Sequence, residues 1–479
     1  MYRLAGATDP SGALTASRVA VTVAAAAALV STFALDPVVA AVVLGVVAAT
    51  CVALCRPVAG LALVALAVPW VGGIELLPPP FPITLVDILI AAIGTAWVVR
   101  CIVQRINPLG TPLWTPYVVL FLAAIMISVT QATDWHASLR EIVKWAELLV
   151  VYVAGSGFIR TRGDIRLLVA AIVLAGVGQA VLGYVQFFFG LGPEAFAAQR
   201  FALRAFGSFD QPNPYAGFLN MTFPFALSLS VLGARGAERG LYRVAAVLIA
   251  GAILASESRG ALLAGFTASC IILAMMLPRL RPLWWAGLWA ALLGGWLMAL
   301  NLIPSSPFQR VLDAVGLGNV SFSSVTDANF SAVERAAHWL AGVRMFAAHP
   351  FLGVGIGNYS DAYPQYHPRG WYASLEHAHN YFINIAAEAG LAGLTAYALL
   401  VGSALWYSCA AIWVSPRGHI RAVAFGVLGA LVATTLHNLF DVLYVHGMVA
   451  FLGLVMTFVP VAFRMASAPI LGSGQGRTE

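Results

Sequence analysis

The stretch HAHNYFINIAAEAGLAGLTAYALLVGSALWYSCAAIWV, residues 377–414, decides how this chain is built. Its last 24 residues, 391–414, carry no charged side chain. About 20 predominantly apolar residues suffice for a helix to cross a bilayer, so this segment reads as a membrane span. Just ahead of it stand His377, His379, Asn380, Asn384 and Glu388. A span that opens in a knot of hydrogen-bonding groups predicts a membrane protein whose chemistry sits at a membrane boundary.

Composition points the same way. The chain has 479 residues, 61% of them hydrophobic and only 10% charged, whereas a soluble domain carries about 25% charged residues. The net charge of +6 comes from scattered basic residues, 25 of 26 being arginine, with Lys144 the only lysine. None forms a run dense enough to follow a phosphate backbone, so a nucleic-acid partner is excluded. The five cysteines, Cys51, Cys55, Cys101, Cys270 and Cys409, lie in or beside apolar segments without metal-ligand spacing, and read as small core residues. The polar start of the chain is followed by one apolar run after another, so no cleavable leader is expected.

The length rule marks candidate spans near 18–36, 38–55, 57–73, 84–103, 112–131, 140–159, 165–190, 214–233, 241–257, 260–278, 283–303, 391–414, 420–437 and 444–463. The expectation is an all-α polytopic membrane protein of about 12–14 transmembrane helices. Arginine-bearing connections such as RTRGDIR, PRLRP and SPRGHIR alternate along the chain, and basic loops stay cytoplasmic. Both termini then fall in the cytoplasm, and loops at 73–83, 191–213 and 304–390 fall on the opposite side. The chain divides into N-terminal transmembrane helices (1–303), a large partly helical loop region (304–390), C-terminal transmembrane helices (391–464) and a short tail (465–479). Within the loop, SAVERAAHWLAGVRMFAAHP (331–350) reads as a helix with Val333, Ala337, Leu340 and Phe346 on one side.

Four polar clusters belong to the outer side. RFALRAFGSFDQPNPYAGFLN (200–220) carries Arg204 just before a span; Asp210 and Asn213 there read equally well as turn residues. SESRG (256–260) puts Arg259 between two short helices, facing protein, water or its neighbour Glu257. The segment 334–359 carries Arg335, with Trp339 one helical turn on, and three alternating glycines, Gly353, Gly355 and Gly357. These glycines follow no strand of a βαβ unit, which rules out a dinucleotide loop; they read as ordinary loop or as a close backbone approach. In the opening stretch a helix from about 378 would set Asn380, Asn384 and Glu388 on one stripe. Arg140 and Lys144 lie one turn apart at the outer start of another helix. His377 and His379 invite a metal reading, but on a helix an HxH pair points its imidazoles apart; His379 as a general base is preferred.

These residues resemble the bacterial O-antigen ligases. That family carries a His, then Asn, Ser or Gln, nine residues, Gly, two residues, and Gly, Thr or Tyr; here His379, Asn380, Tyr381 to Ala389, Gly390, Leu391 and Ala392, then Gly393 fit it. The second His-Asn pair, His437–Asn438, does not: the tenth residue beyond Asn438 is Met448. RAFGSFDQPNPYA, SESRGALL and HPFLGVGIGNY look similar to further recurring segments of the ligase and polymerase superfamily. The candidate spans outnumber the dozen usual in the family, and the tail lacks the extension of the protein-glycosylating relatives.

The resemblance implies a GT-C-like fold in the bacterial inner membrane with the active site facing the periplasm. It implies a glycan donor carried on undecaprenyl pyrophosphate and a lipid A–core acceptor, in contact with membrane lipids. His379 would deprotonate the acceptor hydroxyl for an inverting displacement. Arg204, Arg259 and Arg335 would hold the pyrophosphate, with Arg140 and Lys144 in reserve, and Asn380, Asn384 and Glu388 would support the site by orienting His379 or holding helices together. No Asp-x-Asp occurs in the sequence, and neither a metal nor a cofactor is expected. The rival readings are an O-antigen polymerase, with a second lipid-linked glycan as acceptor, and a lipid or polysaccharide transporter.

Overall fold

The computed structural model describes residues 37–71, 75–77, 83–107, 109, 113–196, 203–283 and 329–467, with isolated positions between 286 and 326. Most of the candidate spans emerge as helices with small shifts at their ends. The chain runs through α1 (Pro37–Cys55), α2 (Pro57–Val71), a two-stranded antiparallel ribbon of β1 (Glu75–Leu77) and β2 (Ile83–Thr84), and α3 (Leu85–Gln104). There follow α4 (Thr115–Ser128), α5 (Trp135–Phe158), α6 (Arg162–Phe189), α7 (Pro212–Ser228), α8 (Gly236–Ala255) and α9 (Arg259–Met276). The expected span at 18–36 and most of the one at 283–303 lie outside the described residues. The last part comprises α10 (Phe330–Ala348), α11 (Tyr359–Tyr366), α12 (Tyr381–Val414), α13 (His419–His437), α14 (Met448–Met456) and α15 (Phe458–Ser467).

Seven of these helical stretches are long and apolar enough to cross a membrane. The chain is a multi-pass, all-α membrane protein. Helix starts follow local chemistry. Thr84 with Asp87 and Thr161 with Asp164 form reciprocal capping boxes, and the Asp134 and Asn380 side chains cap α5 and α12. Each satisfies backbone N–H groups that helix geometry leaves unpaired. α13 packs chiefly on α7, α14 on α5, and α12 on α4. Outward-facing Ile102, Val103, Phe188, Phe189, Phe266 and Trp406 stay exposed, as lipid-facing side chains do.

α12 and α13 run antiparallel, joined by the turn at 415–418. One end of this pair carries His379 and the connection 438–447; the other carries the turn. The starts of α5, α7 and α9 reach the His379 end, here termed the site face. α10 and α11 cover that face, α10 packing on α12. Its buried stripe is Val333, Ala337, Ala341 and Met345. Leu340 and Phe346, expected on it, are only half-buried. The cysteines are not uniformly core: Cys101 is buried, but Cys55 is exposed.

α12 departs from the continuous helix that its hydropathy suggests. Gly390 interrupts it at φ 61°, ψ −157°, a backbone region essentially restricted to glycine. The break frees the carbonyls of Ala387 and Glu388, which accept from the N–H groups of Val354 and Gly355, both at 2.9 Å. The glycine loop therefore clasps protein backbone. A Cβ on Gly353 would collide with Ala387 and Glu388, one on Gly355 with Ala132, and one on Gly390 with Phe351. The alternating glycines serve this docking.

Candidate functional site

His379 stands just outside α12, which begins at Tyr381 rather than near 378. Its own backbone is left-handed, φ 50°, and this turns its ring away from the helix. Asn380 explains the arrangement: its Oδ1 accepts from the N–H groups of Phe382 and Ile383, and its Nδ2 donates to the Leu439 carbonyl at 3.0 Å. One side chain thus starts α12 and ties it to the connection after α13. Tyr381 N–H donates to the Asn438 carbonyl at 2.8 Å, reinforcing that tie.

Across this seam sits Asp441, whose carboxylate is the centre of the site. His379 Nδ1 lies 3.2 Å from Asp441 Oδ1. Asn213 Nδ2 donates to Oδ2 at 2.7 Å, and Val442 N–H donates to Oδ1 at 2.9 Å. Burial raises the Asp441 pKa, but the hydrogen bond from His379 and the charges of His379, His377 and His437 outweigh it and hold the carboxyl well below its usual range. With Nδ1–H directed at Asp441, the lone pair of the His379 ring falls on Nε2. That atom is buried and has no hydrogen-bond partner, which in a polar cluster marks a group kept for something other than structure.

Two further histidines flank it. The His377 ring lies 4.5 Å and the His338 ring 5.6 Å from that of His379, centroid to centroid. His377 is not on a helix, so the expectation that the two imidazoles diverge is corrected: they meet edge to face. Burial lowers the His377 pKa to about 4 against the pull of Asp441, with His379, His338 and Lys144 lowering it further. Burial likewise lowers that of His338, whose Nδ1 contacts the Glu334 carbonyl and whose Nε2 accepts from Leu375 N–H. His437, set aside because its surroundings miss the repeated pattern, is buried close enough to Asp441 to act on its charge.

Among the described residues, His377, His379 and Asp441 together offer three ligand atoms within 4.8 Å of one another, the two histidines meeting an acid distant in sequence as a metal reading of them would need. A divalent cation would have to compete for donors already in use. His377 Nδ1 accepts from His379 N–H at 3.2 Å, and both Asp441 oxygens are engaged.

The three arginines expected from separate segments do converge. Arg204 sits half-buried in the connection before α7 and donates from Nε to the Ser256 carbonyl at 3.0 Å. Burial lowers its pKa, Glu257 opposes this, and the charges of Arg335 and Arg259 lower it further, so all four side chains share one neighbourhood. Arg335 Nε is buried without a partner. Glu334 joins the histidines to the arginines: burial raises its pKa, while His379 and Arg335 counter this.

Asn384 and Glu388, expected to orient His379 or to hold helices together, make contacts of the second kind. Asn384 Oδ1 accepts from Ala378 N–H at 3.0 Å, and Glu388 Oε1 accepts from Tyr359 N–H at 3.1 Å. Both fasten the covering loop to α12. Lys144 pairs with Glu141 at 2.5 Å and is near enough to His377 to affect its charge, whereas Arg140 acts on Asp134 at the start of α5. Asn358 was missed altogether. It is buried, with Oδ1 accepting from Thr133 and Asp134 N–H groups and Nδ2 donating to the Asp134 carbonyl and Ser138 Oγ. Asp441 was missed because it lies 62 residues from its partner. The available signal was an acid four residues after His437, at the end of an apolar span, where an ionisable group marks a functional site.

Residues 244–398 match the family model described as O-antigen ligase. The match covers about a third of the 479 residues, and over that stretch the chain is similar to the O-antigen ligase family. No curated protein matches the chain. The matched stretch holds Arg259, Arg335, His338, His377, His379 and Glu388. Arg204, Asn213 and Asp441 complete the same cluster from outside it. The family acts as ligase or polymerase on lipid-linked glycans.

Proposed function

We propose that this protein is an O-antigen ligase. It would transfer a glycan from undecaprenyl pyrophosphate to a sugar hydroxyl of lipid A–core, at the periplasmic face of the inner membrane. The observation that carries the chemistry is the His379–Asp441 pair, at 3.2 Å, with an unpartnered Nε2. Asp441 fixes the tautomer and supports positive charge on the ring as it forms. Nε2 takes the proton of the acceptor hydroxyl. The oxygen then bonds to the anomeric carbon from the side opposite the pyrophosphate, whose C–O bond breaks, so configuration inverts. Charge develops on the departing phosphate oxygen, and Arg204, Arg259 and Arg335 supply guanidinium donors suited to it. Such fixed charges stabilise a leaving group without reorganisation, so this reading requires no metal.

The test uses purified protein with lipid-linked donor and two separate acceptors, lipid A–core and a second lipid-linked glycan. Transfer to lipid A–core in the presence of EDTA, abolished in His379→Ala with normal accumulation, is the expected result. A general base contributes about 10²–10⁴-fold. Extension of the second glycan alone identifies a polymerase. Activity lost to EDTA and restored by a divalent ion makes His377, His379 and Asp441 ligands instead.

A further inference from the structure

The end of the bundle away from His379 carries a cavity that glycan transfer does not use. It has a volume of about 530 Å³ and lies between the ends of α8, α9, α12 and α13. Its rim holds Arg235, Arg281, Arg417 and Arg421, and its walls include Leu232, Met276, Ile412, Trp413 and Phe425. No Asp or Glu lines it, and among the described residues no carboxylate forms an ion pair with any of the four arginines. Arg421 donates from Nε and Nη2 to the Ser415 carbonyl, at 3.1 and 2.7 Å. Arg235, Arg281 and Arg417 are exposed.

Four guanidinium groups gathered with no carboxylate among the lining residues repel one another, and an anion relieves this. Guanidinium forks match phosphate oxygens in geometry. A free phosphate would use only the rim and leave the apolar walls wet. Trp413 is 70% exposed at the end of α12, where an indole marks the membrane–water boundary. The 24 residues from Leu391 to Val414, at about 1.5 Å each, separate this rim from the site face by roughly the thickness of a bilayer. A cationic rim at headgroup depth over apolar walls fits one class of ligand.

We infer that this cavity binds the phosphate headgroup of an anionic phospholipid, with an acyl chain lying along the apolar walls. The inference stands independently of the glycan-transfer reading.

Native mass spectrometry of the full chain, extracted in mild detergent with equal phosphatidylglycerol and phosphatidylcholine, tests it. The wild-type protein retains phosphatidylglycerol over phosphatidylcholine. The combined variant Arg235→Gln, Arg281→Gln, Arg417→Gln loses that retention on the order of tenfold or more, since each basic residue near a charged lipid contributes about 1 kcal/mol. Arg105→Gln, also exposed but at the end of α3 outside the cavity, does not. Should the combined variant fail to accumulate, Arg281→Gln and Arg417→Gln singly each lower retention roughly fivefold. Equal retention by wild type and variants, or no preference for the anionic lipid, overturns the proposal. So does displacement of the lipid by millimolar inorganic phosphate, or retention that begins only after residues 468–479 are deleted.

Discussion

His379 and Asp441 make different contributions, and substitution can separate them. Asp441→Asn keeps the volume and one acceptor oxygen but removes the charge that fixes the imidazole tautomer. Loss of the orienting carboxylate in a comparable His–Asp pair costs about 10⁴-fold in turnover. The expected result here is a fall in kcat of at least about 10²-fold with little change in KM, measured under acceptor saturation. A purely structural Asp441 would lower accumulation and raise KM together. His379 was legible because its motif is contiguous. The role of Asp441 was not, since only tertiary folding brings His379 and Asn213, from two other connections, onto its carboxylate.

His377 gives the same site a pH signature. Its folded pKa of about 4 lies below its ordinary 6.5. As pH falls through that interval the unfolded chain binds a proton that the folded chain refuses, so stability declines on acidification and recovers above about pH 6.5. A gap of this size corresponds to roughly 3 kcal/mol, at about 1.4 kcal/mol per unit. Thermal unfolding followed from about pH 7 to about pH 4 should show this decline, and His377→Gln should flatten it. An identical slope in the variant would assign the effect to other groups.

The helices were readable from hydropathy because lipid demands long apolar runs, and their starts from Thr, Asp and Asn caps. The break in α12 was not, because the polar residues ahead of it, Asn384 and Glu388, fit one stripe of an unbroken helix equally well. Gly390 reveals its purpose only against the loop 350–357, whose N–H groups fill the carbonyls that the break exposes. Gly390→Ala must adopt a backbone that Ala disfavours and push its Cβ into Phe351. It should destabilise by more than about 1–3 kcal/mol and loosen the covering loop, read as faster proteolysis within 350–376. Gly402 offers the contrast: it lies in the same helix with nothing near its missing Cβ. Gly402→Ala should be neutral or stabilising by about 0.5–1 kcal/mol. Equal effects at the two positions would mean that the break does not hold the loop.

The whole molecule is a two-faced object, and its two faces carry different arginines. Arg204, Arg259 and Arg335 gather around His379, while Arg105, Arg162, Arg235, Arg281 and Arg417 stand at the other ends of the helices. Short connections rich in Arg remain on the cytoplasmic side. By that rule the turn 415–418 would face the cytoplasm and the covering loop the opposite side, the orientation that the proposed transfer reaction needs. Tyr372, 68% exposed on the covering loop, and Pro416, exposed in the opposite turn, report the two sides. In a chain whose five native cysteines are replaced by serine, Tyr372→Cys should react with a membrane-impermeant maleimide once the periplasm is opened. Pro416→Cys should react only after the inner membrane is permeabilised. The reverse pattern would turn the His379–Asp441 site toward the cytoplasm, and a periplasmic transfer reaction at that site would then be impossible.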